Sequence, residues 1–113
     1  MSNRRLHVNV DHVATRRQAR REAFPDPVEW AIRCEAAGAH GITCHLRKDR
    51  RHMQDADIHR LREAVTTLLN LESSLDESML RIAEDSGAEA YCLVPENRLE
   101  ITTEGGLDAI RER

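Results

Sequence analysis

The chain has 113 residues, 17 basic against 20 acidic side chains, a formal net charge of -3 and 40% hydrophobic residues. This balance excludes a disordered or fibrous protein and leaves a globular chain long enough for one modest core. No apolar run reaches the roughly 18 to 20 residues of a membrane helix, and MSNRRLHVNVDH has no apolar region of signal-peptide length, so a cytoplasmic protein without a membrane partner is expected.

The first strand candidate is LHVNVDH (6–12). A helix follows in PDPVEWAIRCEAAGAHG, where Asp26 can cap, Pro27 takes the first helical position, Glu29 has capping-box spacing and Gly38 suits a left-handed stop. Val28, Ala31, Ile32 and Cys34 to Ala36 form its expected buried face. The second strand candidate is GITCHLR (41–47). Next comes DADIHRLREAVTTLL, with Asp55 as the expected cap and Ile58, Leu61, Val65 and Leu68 at helical spacing. TLLNLES (67–73) reads as the third strand. In LDESMLRIAEDSG, Asp76 caps a helix, Leu75 and Leu80 are placed as a hydrophobic staple, and Gly87 stops it. AYCLVPE (90–96) is the fourth strand.

Strand and helix alternating at a period of about thirty residues predict βαβ units with a parallel sheet. Parity sharpens this. Leu6, Val8 and Val10 share one face against Asn9 and Asp11; Ile42, Cys44 and Leu46 oppose Thr43, His45 and Arg47; Leu69 and Leu71 oppose Asn70 and Glu72. Parallel strands buried on both faces read as continuous apolar runs, so these polar faces need a reason. A barrel supplies one, because its inner faces near the strand C-termini line an active-site mouth.

GITCHLRKDRRH (41–52) concentrates one thiol, two histidines and four cationic side chains after an apolar run. It can be read as a catalytic strand end, a metal site, a nucleic-acid patch or a solvated loop. Against metal, Cys44 and His45 are strand neighbours that point to opposite faces, and His45 and His52 lack zinc-finger spacing. The three cysteines, Cys34, Cys44 and Cys92, form no C-x-x-C pair and are expected to be reduced and packed. TRRQARR (15–21) and LRKDRR (46–51) could neutralise phosphates, but the net negative charge and scarcity of aromatic side chains leave such arginines solvent-facing by expectation. His7, His40 and His59 are expected to be solvated or capping groups. TTEGGLD (102–108) lacks the lysine and spacing of a P-loop. A strand histidine such as His45 is ordinarily structural; its shared parity with Asn9, Asp11, Arg47 and Glu72 is what raises a functional role.

NVDHVATRRQAR, PDPVEWA, GITCHLRKDRRH, NLE and CLVPENRLEITTEGGLD, taken in order and at their spacing, resemble the pyridoxine 5'-phosphate synthase family across essentially the whole chain. The resemblance implies an α/β fold, a TIM (β/α)8 barrel whose first half would be formed by parallel βα repeats over residues 1–113, about four units. A complete barrel typically needs about 250 residues, so the chain is expected to be truncated before the second half. Four strands alone would leave two open edges, which favours self-association or pairing with a second half.

The implied activity is a transferase-type, ring-forming condensation of 1-deoxy-D-xylulose 5-phosphate with 3-amino-2-oxopropyl phosphate in vitamin B6 biosynthesis. It yields pyridoxine 5'-phosphate, inorganic phosphate and water. By the same resemblance His45 and Glu72 are catalytic proton acceptors. Asp11, His12, Arg47, His52 and Thr102 would contact the deoxyxylulose phosphate, while Asn9 and Arg20 would hold the amino-ketone phosphate. Asp11, whose carboxylate repels phosphate, is expected to bind hydroxyls or orient a neighbour. No cofactor, metal or nucleic acid is implied; the full-length protein would be a homo-oligomer. Arg16 and Lys48 depart from the family pattern. The isolated chain is expected to be inactive, and the alternative functions are a non-catalytic half-barrel assembly module or a basic-patch nucleic-acid binder.

Overall fold

A computed structural model describes residues 3–96 and 106–110. The elements follow as β1 (His7–Asn9), α1 (Asp11–Arg20), α2 (Pro27–Ala36), β2 (Gly41–His45), α3 (Asp55–Ala64), β3 (Leu68–Ser73), α4 (Glu77–Ser86) and β4 (Ala90–Leu93). All strand pairings are parallel and the sheet order is β1-β2-β3-β4, so each strand lies beside its successor in the chain. Four parallel strands alternating with helices form half of a TIM barrel, as the sequence pattern predicts.

The outer face carries the core. Val10, Ile42, Cys44, Leu46, Leu69 and Leu71 are buried together with Ala14, Val28, Ala31, Ile58, Leu61, Met79 and Ala83 from the helices. A side chain such as Leu61, fully buried, contributes roughly 1.5–3 kcal/mol relative to exposure. Asp26 accepts a bond from Val28 N–H at the start of α2, Asp76 accepts one from Ser78 N–H at the start of α4, and Gly87 closes α4 in the left-handed region at φ 74°. These match the sequence reading.

Five expectations are corrected. The first strand ends at Asn9, and Asp11 and His12 open a helix absent from that reading. Asn9 Oδ1 accepts from Asp11 N–H at 2.8 Å and turns the chain, while Asp11 lies in the first helical turn, where a carboxylate meets the positive end of the dipole. Within α1, Arg17 is 8% exposed instead of solvated: it forms a two-pronged ion pair with Asp57 at 2.6 and 2.8 Å. At α3 the cap position belongs to Gln54, not Asp55; Asp57 Oδ2 reaches back to Gln54 N–H at 2.7 Å, leaving Asp55 to pair with Arg50. Ile32 is 49% exposed because α2 buries a narrower stripe, Pro27, Val28 and Ala31. Of the thiols, Cys44 is buried and Cys34 packs against the core, but Cys92 is exposed on the last described strand. No helix among the described residues is long and apolar enough to cross a membrane.

Candidate active site at the strand C-termini

Register brings the polar face together. Asn9 pairs with Thr43 and Thr43 with Asn70; one step towards the C-termini, His45 pairs with Glu72 and Glu72 with Cys92. Adjacent strands lie about 4.8 Å apart and alternate residues share a face, so the His45 imidazole and the Glu72 carboxylate project from neighbouring strands on one side. Burial raises the Glu72 carboxyl above its usual range; the Asp11 carboxylate adds to this and the His45 ring opposes it.

Asp11 is the brace of this corner. Its Oδ1 accepts from the His45 backbone N–H at 2.7 Å and its Oδ2 from Asn9 Nδ2 at 2.9 Å, which ties the first turn of α1 to the ends of β1 and β2. His45 is only 5% exposed, and its Nε2 lies 2.9 Å from Glu96 Oε1. The other Glu96 oxygen accepts from Lys48 N–H at 3.2 Å. Buried His52 lies between two other rings, 6.0 Å from His45 and 6.3 Å from exposed His12, whose Nδ1 is 3.1 Å from Thr15 Oγ1. Burial lowers the His52 pKa; Asp11 counters this, while His45, His12 and Arg47 reinforce it.

Arg47, 1% exposed, follows on the same parity as His45 and engages Asp49 at 3.2 Å. Burial would raise the Asp49 carboxyl, but the Arg47 and Arg51 guanidiniums outweigh it and hold Asp49 down to about 2. A cleft of about 800 Å³ opens beside these groups, lined by Arg47, Lys48, Ser74, Asp76 and Glu96 among others. Arg20 is not brought into this cluster. It sits at the far end of α1, paired with Glu22 at 3.0 Å and lying 5.1 Å over the Phe24 ring. Thr102 lies outside the described residues.

The family model described as pyridoxal phosphate biosynthesis protein PdxJ matches residues 6–113. The chain belongs to the PdxJ family. Relatives named pyridoxine 5'-phosphate synthase include those of Chlorobium chlorochromatii, 58% identical over 95% of this chain and 46% of the relative, and Crocosphaera subtropica, 61% identical over 91% and 43%. A third, from Prosthecochloris aestuarii, is 57% identical over 95% of the chain and 45% of its own length. This PdxJ-family chain therefore spans a little under half the length of these curated relatives.

Sequence spacing alone argued against a metal, yet the fold gathers a different trio: one ligand atom each from buried Asp11, His45 and His52 lie within 4.8 Å of one another. Their hydrogen bonds decide what they can hold. His52 Nδ1 accepts from Met53 N–H at 2.7 Å, which places the proton of the neutral ring on Nε2. Neither His52 nitrogen then offers a free lone pair, and its Nε2–H is a donor. His52 therefore cannot join Asp11 and His45 as a metal ligand while it keeps this bond, but its Nε2–H can donate to a phosphate or hydroxyl oxygen. Cys44, pushed far above the usual thiol range by burial and then by the Asp11 and Glu72 carboxylates, is inert.

Within this PdxJ-family site, the sequence reading gave Glu96 no role. Its signal was the same parity that singled out His45: residues 92, 94 and 96 alternate from the β4 register position opposite Glu72. Arg17 and Asp57 carried no such sign, because a buried arginine reads as a surface one until its partner, forty positions away, is folded against it.

Proposed function

We propose that the chain supplies the first half of a pyridoxine 5'-phosphate synthase barrel and takes part in condensing 1-deoxy-D-xylulose 5-phosphate with 3-amino-2-oxopropyl phosphate. The products are pyridoxine 5'-phosphate, phosphate and water. The observation that carries the reading is the pairing of His45 with Glu72 at the strand ends of a PdxJ-family chain.

Forming the ring requires attack of an amine on a ketone and repeated proton transfers, which call for groups that exchange protons near neutral pH. A carboxyl raised by burial is a stronger base than an ordinary glutamate, and Glu72 takes that role. His45 donates Nε2–H to Glu96 and keeps the Nδ1 lone pair to accept a proton. His52 Nε2–H and the Arg47 guanidinium offer donors to phosphate or hydroxyl oxygens. Asp11 braces Asn9 and His45 from below, the neighbour-orienting role its charge favours over phosphate contact. Arg20 and Thr102 remain assigned to substrate by family resemblance alone.

The test is a hybrid barrel in which this chain continues into the remaining half of one of the full-length relatives. The hybrid is expected to form pyridoxine 5'-phosphate, and the 113-residue chain alone is expected to form negligible amounts. A folded hybrid that makes no product, or an isolated chain as active as a complete barrel, contradicts the proposal. The assembly-module reading draws on β1 and β4, each paired on one edge only among the described residues. It predicts a concentration-dependent dimer without catalysis.

A further inference from the structure

Among the described residues, Glu96 is the one carboxylate hydrogen-bonded to the His45 ring. It follows β4 (Ala90–Leu93) in the chain and touches two points at the C-terminal end of β2: Nε2 of its last residue, His45, at 2.9 Å and the backbone N–H of Lys48 just after it at 3.2 Å. The side chain of His45 is 6% exposed and that of Glu96 13%, so the contact is shielded from water. The Glu96 carboxylate also favours the charged form of Arg50, after the larger effect of Asp55.

An ionised carboxylate can only accept, so the proton of a neutral His45 ring is fixed on Nε2. Nδ1 is then the basic nitrogen; it has no hydrogen-bond partner among the described residues. When Nδ1 takes a proton, the imidazolium faces a carboxylate already in place, and a charge-assisted bond strengthens without any group having to move. The Lys48 N–H keeps the second oxygen occupied, which prevents the carboxylate from turning away. We propose that Glu96 is the positioning residue of His45: it sets the tautomer, holds the ring plane and stabilises the protonated ring during turnover. This rests on the proposed function only for its kinetic consequence; the tautomer is a property of the chain by itself.

Two readouts separate the claims. In the 113-residue chain labelled with ¹⁵N-histidine, the ring nitrogen shifts of His45 should show the Nε2–H form for the wild type and a mixture for Glu96→Ala. Glu96→Gln, which keeps the shape and one acceptor oxygen, guards against a folding defect and should retain mostly Nε2–H. In the hybrid barrel, Glu96→Ala should lower kcat roughly ten- to a hundredfold, as expected for one lost charge-assisted bond, with KM changed less than about threefold; Glu96→Gln should fall between that variant and the wild type. An unchanged His45 tautomer in Glu96→Ala overturns the proposal. So does an unchanged kcat in a hybrid that is active with the wild-type chain. A hybrid inactive even with the wild-type chain refutes the assigned reaction instead, and the nitrogen shifts still decide the role of Glu96.

Discussion

Removing the Arg17 guanidinium should destabilise the fold far more than its place in an arginine-rich segment suggests. The Arg17 and Asp57 side chains are 10% and 5% exposed and meet at 2.6 Å, with a second bond of 2.8 Å. Breaking a buried pair by deleting one partner typically costs about 3–5 kcal/mol, because the remaining charge is left uncompensated. Asp57 would keep one bond, from Gln54 N–H at 2.7 Å, which favours the lower end, about 3 kcal/mol. The His52 carbonyl also loses its 3.1 Å bond from Arg17 Nη2, but Gln54 Nε2 still donates to it at 3.1 Å. With a denaturant slope of about 1.5 kcal/mol/M, Arg17→Met should lower the urea midpoint by about 2 M in equilibrium unfolding followed by circular dichroism. The double variant Arg17→Met with Asp57→Asn should recover at least about 1 kcal/mol of that loss, since no buried charge then stands alone. A loss below about 1 kcal/mol for Arg17→Met, or a double variant that simply adds the two single losses, would refute this reasoning.

The other predictions concern protons and backbone. Glu72 holds its proton to higher pH in the folded chain than its usual 4.5, so its folded carboxylate costs stability as pH rises above that value. Glu72→Gln should therefore raise the urea midpoint at pH 7.5 and not at pH 4; equal gains at both would contradict the burial argument. His52 has the opposite consequence: its folded pKa is depressed below 6.5, so the unfolded chain takes up the proton first and stability declines as pH falls below 6.5. His52→Asn should flatten that decline, measured by urea midpoints between pH 7.5 and 5.5, and an unchanged slope would count against it. Gly87→Ala places a Cβ at φ 74°, with Arg62 Cδ at an ordinary 3.5 Å, so the cost is conformational, about 1 kcal/mol, and should appear as a small fall in Tm. A rise in Tm would show that the α4 stop does not need a left-handed residue.

The parts of the fold that could be read from sequence were those in which apolar periodicity and capping chemistry agree. Ile58 and Leu61 on α3, Asp76 and Gly87 around α4, and the row of Ile42 and Cys44 on β2 with Leu46 just after it behave as their spacing predicts. The helix α1 stayed hidden because one of its buried positions is filled by a charged residue, Arg17, whose burial depends on a long-range partner. Ile32 erred in the other direction: an apolar residue beside a buried stripe need not join it. At the site, parity placed His45 and Glu72 on one face, but it carried no information on what joins the strand ends. The Asp11 brace, the His52 tautomer and the Glu96 bridge all depend on loops that return residues 34 to 51 positions apart, or a backbone N–H next in the chain, to hydrogen-bond distance.

The most direct test is a double-mutant cycle on turnover in the hybrid barrel, with His45→Ala, Glu72→Ala and both together. If the two groups act on one substrate in one pocket, each single variant should lose at least about a hundredfold in kcat, and the double variant should be little worse than the more damaged single. Near-normal turnover in either single variant, or losses that multiply as they would for independent sites, would contradict a shared proton-transfer site at the ends of β2 and β3.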